Sequence, residues 1–225
     1  MKLESYLATT GSQYEQSQLD IISNNIANSN TPGYKKDTLS FSTVLGEVAH
    51  IDMSQGPTRQ TGNNLDIALS GNGFLSVQTP QGALYTRAGD LAVDSSNQLV
   101  TQDGYPVLGQ NGAPIKINTV ADLRITSNGQ VFDGNNSLAQ LQLVDFAPNS
   151  LKKVGSGYFQ PADTTVQPGP ASGCTVHQGA LEEANVNSVK EMALLIEATR
   201  EFEADQKALK NGSTLDSELI SKTSG

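Results

Sequence analysis

Two histidines, one cysteine and scattered carboxylates are the residues of this 225-residue chain on which nucleophilic, acid–base or metal chemistry would draw. Cys174 and His177 have the local spacing of a metal-ligand pair, but structural zinc takes four ligands and no second pair follows. A buried thiol beside a surface imidazole is the plainer reading. His50 stands alone. Gly71-Asn72-Gly73 has the opening of a dinucleotide loop, yet Ser76 occupies the place of the third glycine and no phosphate-binding helix follows. Asp94 to Gln98 begins like a calcium loop without its glycine and closing glutamate, and reads as a hairpin turn. Asp66, Asp90 and Asp103 lie in turn-rich stretches, where Asx-turn bonding accounts for them. The residues point to no catalytic site, no cofactor and no metal, and so to a protein that is not an enzyme.

Positioning of these residues falls to a chain unusually rich in uncharged polar groups. Ser, Thr, Asn and Gln supply 74 of its residues, while charged residues make up only 16%. Such a mixture disfavours both a highly charged disordered chain and a leucine-rich bundle, and it suits short strands joined by turns. The net charge of −9, with no basic cluster larger than Lys35-Lys36 or Lys152-Lys153, argues against nucleic acid as a partner. No apolar run approaches the length of a membrane span. Met1 to Ser5 carries one positive charge with no apolar stretch behind it, so no cleaved secretory signal is expected.

The charges are unevenly spread. The last 48 residues hold 14 of them, against 13 in the 117 residues from 61 to 177. In that charged tail Met192, Leu195, Thr199, Phe202, Gln206 and Leu209 recur at spacings of three and four, with Ile196 widening the stripe. Ser188 with Glu191 reads as a capping box and Asn211-Gly212 as a stop, which predicts a helix over 188–210. Leu7, Tyr14 and Ile21 form a matching stripe in the first 27 residues, thickened by Leu3, Ile22 and Ile26 and interrupted by Thr10, Ser17 and Asn24. Such a helix is too polar to stand alone and needs a partner.

Turn dipeptides punctuate the middle: Asn72-Gly73, Gln81-Gly82, Asp103-Gly104, Asn111-Gly112, Asn128-Gly129 and Asp133-Gly134. Between them lie short β-prone runs from Leu65 to Asp145, which predict an all-β meander or barrel-like domain. Residues 162–173 read as loop. The expected fold is mainly β with terminal α-helices, the C-terminal helix being the candidate partner of the N-terminal one. The expected organisation is a discontinuous helical domain over 1–35 and 179–225, a connector over 36–60 and an all-β domain over 61–178.

One string resists a purely structural reading. Asn24-Asn25-Ile26-Ala27-Asn28-Ser29-Asn30-Thr31-Pro32-Gly33-Tyr34-Lys35 ends a helix and enters a turn, which explains Asn28 and Pro32-Gly33 but not the crowding of four asparagines. It resembles the N-terminal signature of bacterial flagellar rod and hook axial proteins. Further strings are similar to the same family in the same order: Thr61 to Phe74, Tyr85 to Asp90, Leu99 to Leu108, and Gly179 to Asn187 followed by Glu191 to Ala204. Tyr85 to Leu91 and Gly112 to Ile115 look most like the proximal rod member, with the distal rod member next. Pro32, where many relatives have Thr, is a small departure.

The resemblance implies a structural subunit of the basal-body rod, polymerising helically into a hollow drive shaft for motility. It implies terminal helices paired as an antiparallel coiled coil facing the tube axis, an outer β domain, and export through the flagellar type III apparatus to a rod crossing the periplasm. Expected partners are other rod subunits, copies of itself and the export apparatus, with no nucleic acid and no small-molecule substrate. Assembly contacts are expected at Leu3, Leu7, Tyr14, Ile21, Asn24, Asn25, Asn28, Asn30, Gly33 and Tyr34, and at Asn185, Asn187, Met192, Leu195, Ile196, Arg200, Phe202 and Leu209. Two other classes compete: a β domain binding carbohydrate or peptide on a helical dimerisation stalk, and a hydrolase. Dispersed aromatics without tryptophan disfavour the first, and the empty catalytic search disfavours the second.

Overall fold

The computed structural model describes the backbone of residues 3–42 and 46–223, and the side chains of residues 11, 13–40, 49–208 and 210. Helix α1 (Leu3–Ala27) opens the chain. It is followed by β1 (Asp37–Ser42), β2 (Gly46–Ile51), β3 (Thr58–Gln60), β4 (Ile67–Ser70), β5 (Phe74–Thr79), β6 (Gly82–Thr86), β7 (Ala92–Val93) and β8 (Leu99–Val100). The strands continue with β9 (Leu123–Ile125), β10 (Gln130–Asp133), β11 (Asn136–Gln140), β12 (Leu143–Asp145), β13 (Leu151–Val154), β14 (Tyr158–Pro161), β15 (Gly169–Pro170), β16 (Thr175–Gln178) and β17 (Ala180–Glu182). Helix α2 (Ser188–Thr223) closes it. Two compact units result, one of Met1–Ala27, Asp37–His50 and Asn187–Gly225, the other of Asn28–Lys36 and Ile51–Val186.

In the helical unit α1 packs against α2, and β1 pairs with β2. The expected coiled coil is not what forms. A coiled-coil seam needs large apolar residues at alternating spacings of three and four, all facing the partner. Among the described residues of α2 the buried positions are Glu191 and Ala198, with Leu194, Leu195 and Phe202 half-buried, while Met192, Thr199 and Gln206 of the expected seam stand exposed. The buried face is thus rotated off the stripe and carries a small residue and a carboxylate where knobs should be. Among the described side chains of α1, the buried ones are Ile22 and the polar Asn25. The cap also differs: Asn187, rather than Ser188, accepts from Lys190 N at 3.0 Å. Helix α2 runs through Asn211-Gly212 instead of stopping there.

Glu15 of α1 lies against Glu201 and Asp205 of α2. Burial raises its carboxyl above the ordinary value of 4.5, and a hydrogen bond to Asp205 with the charges of Asp205 and Glu201 pushes the same way. A carboxyl raised on folding stabilises the folded helix pair below its unfolded value and loses that contribution as pH rises through the raised one. Helix content measured by circular dichroism on the whole chain should therefore fall as pH rises above 4.5. Glu15→Gln should remove that slope and raise helicity at pH 7; a slope unchanged by the substitution would refute the assignment.

The β unit is antiparallel in every pairing described. Its largest sheet has the order β13-β14-β6-β5-β12-β15, and a three-stranded sheet has the order β11-β10-β9. Two-stranded pairs β16-β4, β17-β3 and β7-β8 complete it. No sheet closes on itself, so the unit is not a barrel: strands of two to six residues end at bulges and turns before curvature can bring edges together. Five of the six expected turn glycines take positive φ, at 82, 104, 112, 129 and 134, and in the remaining turn Gly71 does so in place of Gly73.

Alternation along β5 builds two cores. Leu75 and Val77 join Ile67, Leu69, Leu99, Val107, Ile115, Ile117, Val131 and Leu141 in the larger one. Phe74, pointing the other way, meets Tyr85, Val144 and Phe159, with Phe74 and Phe159 rings edge to face at 5.3 Å. Where β4 leaves the large core, Ile67 N donates to Gly89 O at 2.9 Å, and a Cβ on Gly89 would lie 1.7 Å from Ile67 O. Residues 36–60, read as a connector, contain β1, β2 and β3, and the expected loop contains β15. Their weak periodicity hid short edge strands.

Candidate functional site

The segment with the crowded asparagines leaves α1 and turns back on itself. Thr31 N donates to Asn28 O at 3.0 Å, and Tyr34 N to Thr31 O at 3.2 Å. Gly33 takes φ +67°, and its N donates to Glu182 O at 2.8 Å. Asn185 N donates to Tyr34 O at 3.3 Å. Residues about 150 positions apart are thereby stitched backbone to backbone. Tyr34 is buried, and Lys153 Nζ sits 4.1 Å from its ring centre.

Beneath this seam lies a buried ion triad. Lys35 Nζ donates to Glu182 Oε1 at 2.6 Å and to Ser54 O at 2.6 Å. Arg87 Nη1 donates to Glu182 Oε2 at 3.0 Å, its Nε to Gly73 O at 2.9 Å, and its Nη2 to Gly71 O. Gly56 N adds a 2.9 Å bond to Glu182 Oε1. The Lys35 and Glu182 side chains are 1% and 0% exposed. Burial lowers the Lys35 ammonium from its usual value, and the pull of Glu182 only partly offsets it, with the like charge of Arg87 adding to the lowering. A buried charge is tolerated only when paired and hydrogen-bonded. One carboxylate here serves two cations and a backbone amide, so the N-terminal segment, the β5–β6 region and the C-terminal strand β17 depend on one another.

Asn185 forms a second clamp. Its Oδ1 accepts from Lys36 N at 2.7 Å, and its Nδ2 donates to Asp52 O at 2.8 Å and Ser54 Oγ at 3.1 Å. Asn185→Ala should cost about 1–2 kcal/mol, because partly buried backbone groups lose their partners. The urea midpoint should fall with an unchanged slope; a loss below about 0.5 kcal/mol would show that water takes over those bonds. In the helical unit Asn25 plays a similar part, donating to Asp37 O at 2.9 Å and accepting from Asp37 N at 3.0 Å.

Of the expected contact residues, the fold brings Gly33, Tyr34 and Asn185 together and ties Asn25 to β1. Asn28 serves the turn, its Oδ1 accepting from Thr31 Oγ1 at 3.3 Å, while Asn24 and Asn30 are exposed. Asn187 caps α2. Tyr14, Ile21, Leu195 and Phe202 are half-buried, and Met192, Ile196 and Arg200 are exposed. Leu3, Leu7 and Leu209 lie outside the described side chains. Sequence reasoning missed Lys35, Arg87 and Glu182 as a unit. A signal was present: Arg87 is the only basic residue between Arg59 and Lys116. Among the described residues no acidic, cysteine or histidine cluster could hold a metal ion, and no helix is long and apolar enough to cross a membrane.

Within the β unit one carboxylate ties the segment at Lys35, Arg87 and strand β17 together. Residues 6–35 match the family described as flagella basal body rod protein, residues 68–132 the flagellar hook protein FlgE/F/G D1 domain, and residues 177–222 the flagellar basal body rod FlgEFG protein C-terminal. The chain belongs to the flagellar basal-body rod protein family, a family of structural rod subunits. It is 32% identical over 255 residues to the rod protein FlgG of Bacillus subtilis, covering 96% of this chain and 97% of that one. It is 33% identical over 216 residues to FlgF of Rhizobium meliloti, covering 88% of each. To FlgF of Caulobacter vibrioides it is 32% identical over 226 residues, covering 91% of each.

Proposed function

We propose that the chain is a proximal-rod subunit of the FlgF type, one of the repeated pieces of the hollow shaft that transmits torque. Alignment length supports this choice. The FlgG comparison runs over 255 positions, so at least 30 of them face gaps in a chain of 225, whereas the FlgF comparisons run over 216 and 226. A distal-rod reading draws on the near-complete mutual coverage with FlgG. In either reading an open helical polymer needs contacts between unlike surfaces of successive copies. The chain ends, 1–35 and 179–225, take the axial role, residues 61–178 the outer one, and 36–60 connect them. The expected contact residues serve assembly, export proceeds through the type III apparatus without a cleaved signal, and the protein performs no catalysis. Deleting the gene should abolish swimming, and an electron-microscopy map of isolated basal bodies should place the chain in the proximal rod. A swimming deletion strain overturns the rod role; density in the distal segment selects the second reading.

A further inference from the structure

Five large hydrophobic side chains stand exposed among the described residues, and three lie on one helix: Val189, Met192 and Ile196, exposed 77%, 51% and 56%. Their spacings of three and four place them on a single stripe of α2, which the next step of four extends to the exposed Arg200. Lys190 and Glu197 flank it. This is the pattern by which an amphipathic helix enters a groove, with anchors at i, i+3 and i+7. Glu191 and Ala198, not these residues, are the buried positions among the described residues of α2.

The β unit offers a groove of matching character. A cleft of about 550 Å³ is walled by Leu84, Tyr105 and Tyr158, with Gln102, Asp90 and Asp103 along it. The two tyrosine rings meet edge to face at 5.5 Å, and Tyr158 donates to Asp103 Oδ2 at 2.6 Å. No Lys or Arg lines the cleft, and among the described residues no cation pairs with Asp90 or Asp103. Asp90 is half-buried, and burial with the charges of Asp66 and Asp103 raises its carboxyl.

We infer that the Val189–Met192–Ile196–Arg200 stripe of one copy docks into the cleft of a second copy, its apolar anchors against the tyrosine wall and Arg200 toward Asp90 and Asp103. The inference rests on the rod reading and names the partner surface for α2. An apolar protrusion and an unlike pocket on one molecule make a head-to-tail contact, the kind from which an open helical shaft is built. Charge supplies the direction: like charges brought face to face cost several kcal/mol, and opposite ones fix the register.

The test is made on the full chain in its own strain. Arg200→Asp or Asp103→Arg alone should reduce rod-bearing basal bodies about a hundredfold, and the two together should restore most of them. Independently, Ile196→Cys with Gln102→Cys should give a disulfide-linked ladder in oxidised basal bodies, absent from either single variant. Unaffected single charge variants, a double variant no better than the worse single, a missing ladder, or a cross-linked species of monomer size each overturn the docking. A swimming deletion strain would instead overturn the rod reading itself, so the two failures are separable.

Discussion

Replacing Glu182 with Ala should lower the melting temperature of the β unit by roughly 10–20 °C, the largest effect expected of any single substitution at a polar site. The carboxylate is fully buried and is the shared partner of Lys35, Arg87 and the amide of Gly56. Its removal strands two buried cations, and breaking one buried pair already costs about 3–5 kcal/mol. The triad's net worth is a separate matter, because desolvating three charges offsets much of their attraction. Replacing all three by apolar residues of similar volume (Lys35→Met, Arg87→Met and Glu182→Leu) should therefore recover most of the loss. Thermal unfolding followed by circular dichroism on the parent, Glu182→Ala and the triple variant decides it. A Glu182→Ala protein melting within 2 °C of its parent would mean that water reaches the triad.

Gly33→Ala should do comparable damage by a different route. At φ +67° any side chain meets left-handed strain, worth about 1–2 kcal/mol. The new Cβ would also lie 2.3 Å from Arg87 C and 2.4 Å from Ala88 N, both backbone atoms that cannot swing aside. Overpacking of that kind adds about 1–3 kcal/mol. The turn must lift off the Arg87–Ala88 peptide, losing its bond to Glu182 O and loosening Lys35 beside it. Gly104→Ala is the control, since φ there is +82° but nothing stands within 4 Å of the added carbon. Limited proteolysis should cut Gly33→Ala within residues 28–36 faster than the control. Equal stability and equal cleavage in the two variants would show that the turn is not seated as described.

Local rules accounted for much of the chain because each needs only neighbours in sequence. Asp103-Gly104, Asn128-Gly129 and Asp133-Gly134 make tight turns whatever surrounds them, and both terminal helices begin about where their patterns do. The same rules misled elsewhere. Asn211-Gly212 has stop chemistry, yet α2 continues through it. Met192 and Ile196 share a stripe with Leu195 and Phe202, but two residues four apart are 40° apart on a helix, so a pattern cannot say which edge of the stripe turns inward. Short strands such as β15, two residues carrying Gly169 and Pro170, show no periodicity because two residues cannot.

Composition, turn chemistry and the signature strings determined by themselves that this is a turn-rich β protein with helical ends, and to which family it belongs. Only the tertiary structure decided that Lys35, Arg87 and Glu182 share one buried site, that Asn185 binds the loop at Asp52 and Ser54, and that the sheets stay open. Those facts depend on contacts between residues 50 to 150 positions apart. Pairing over such separations is set by which charges and amides can be satisfied once water is excluded, a condition that no window of neighbouring residues contains.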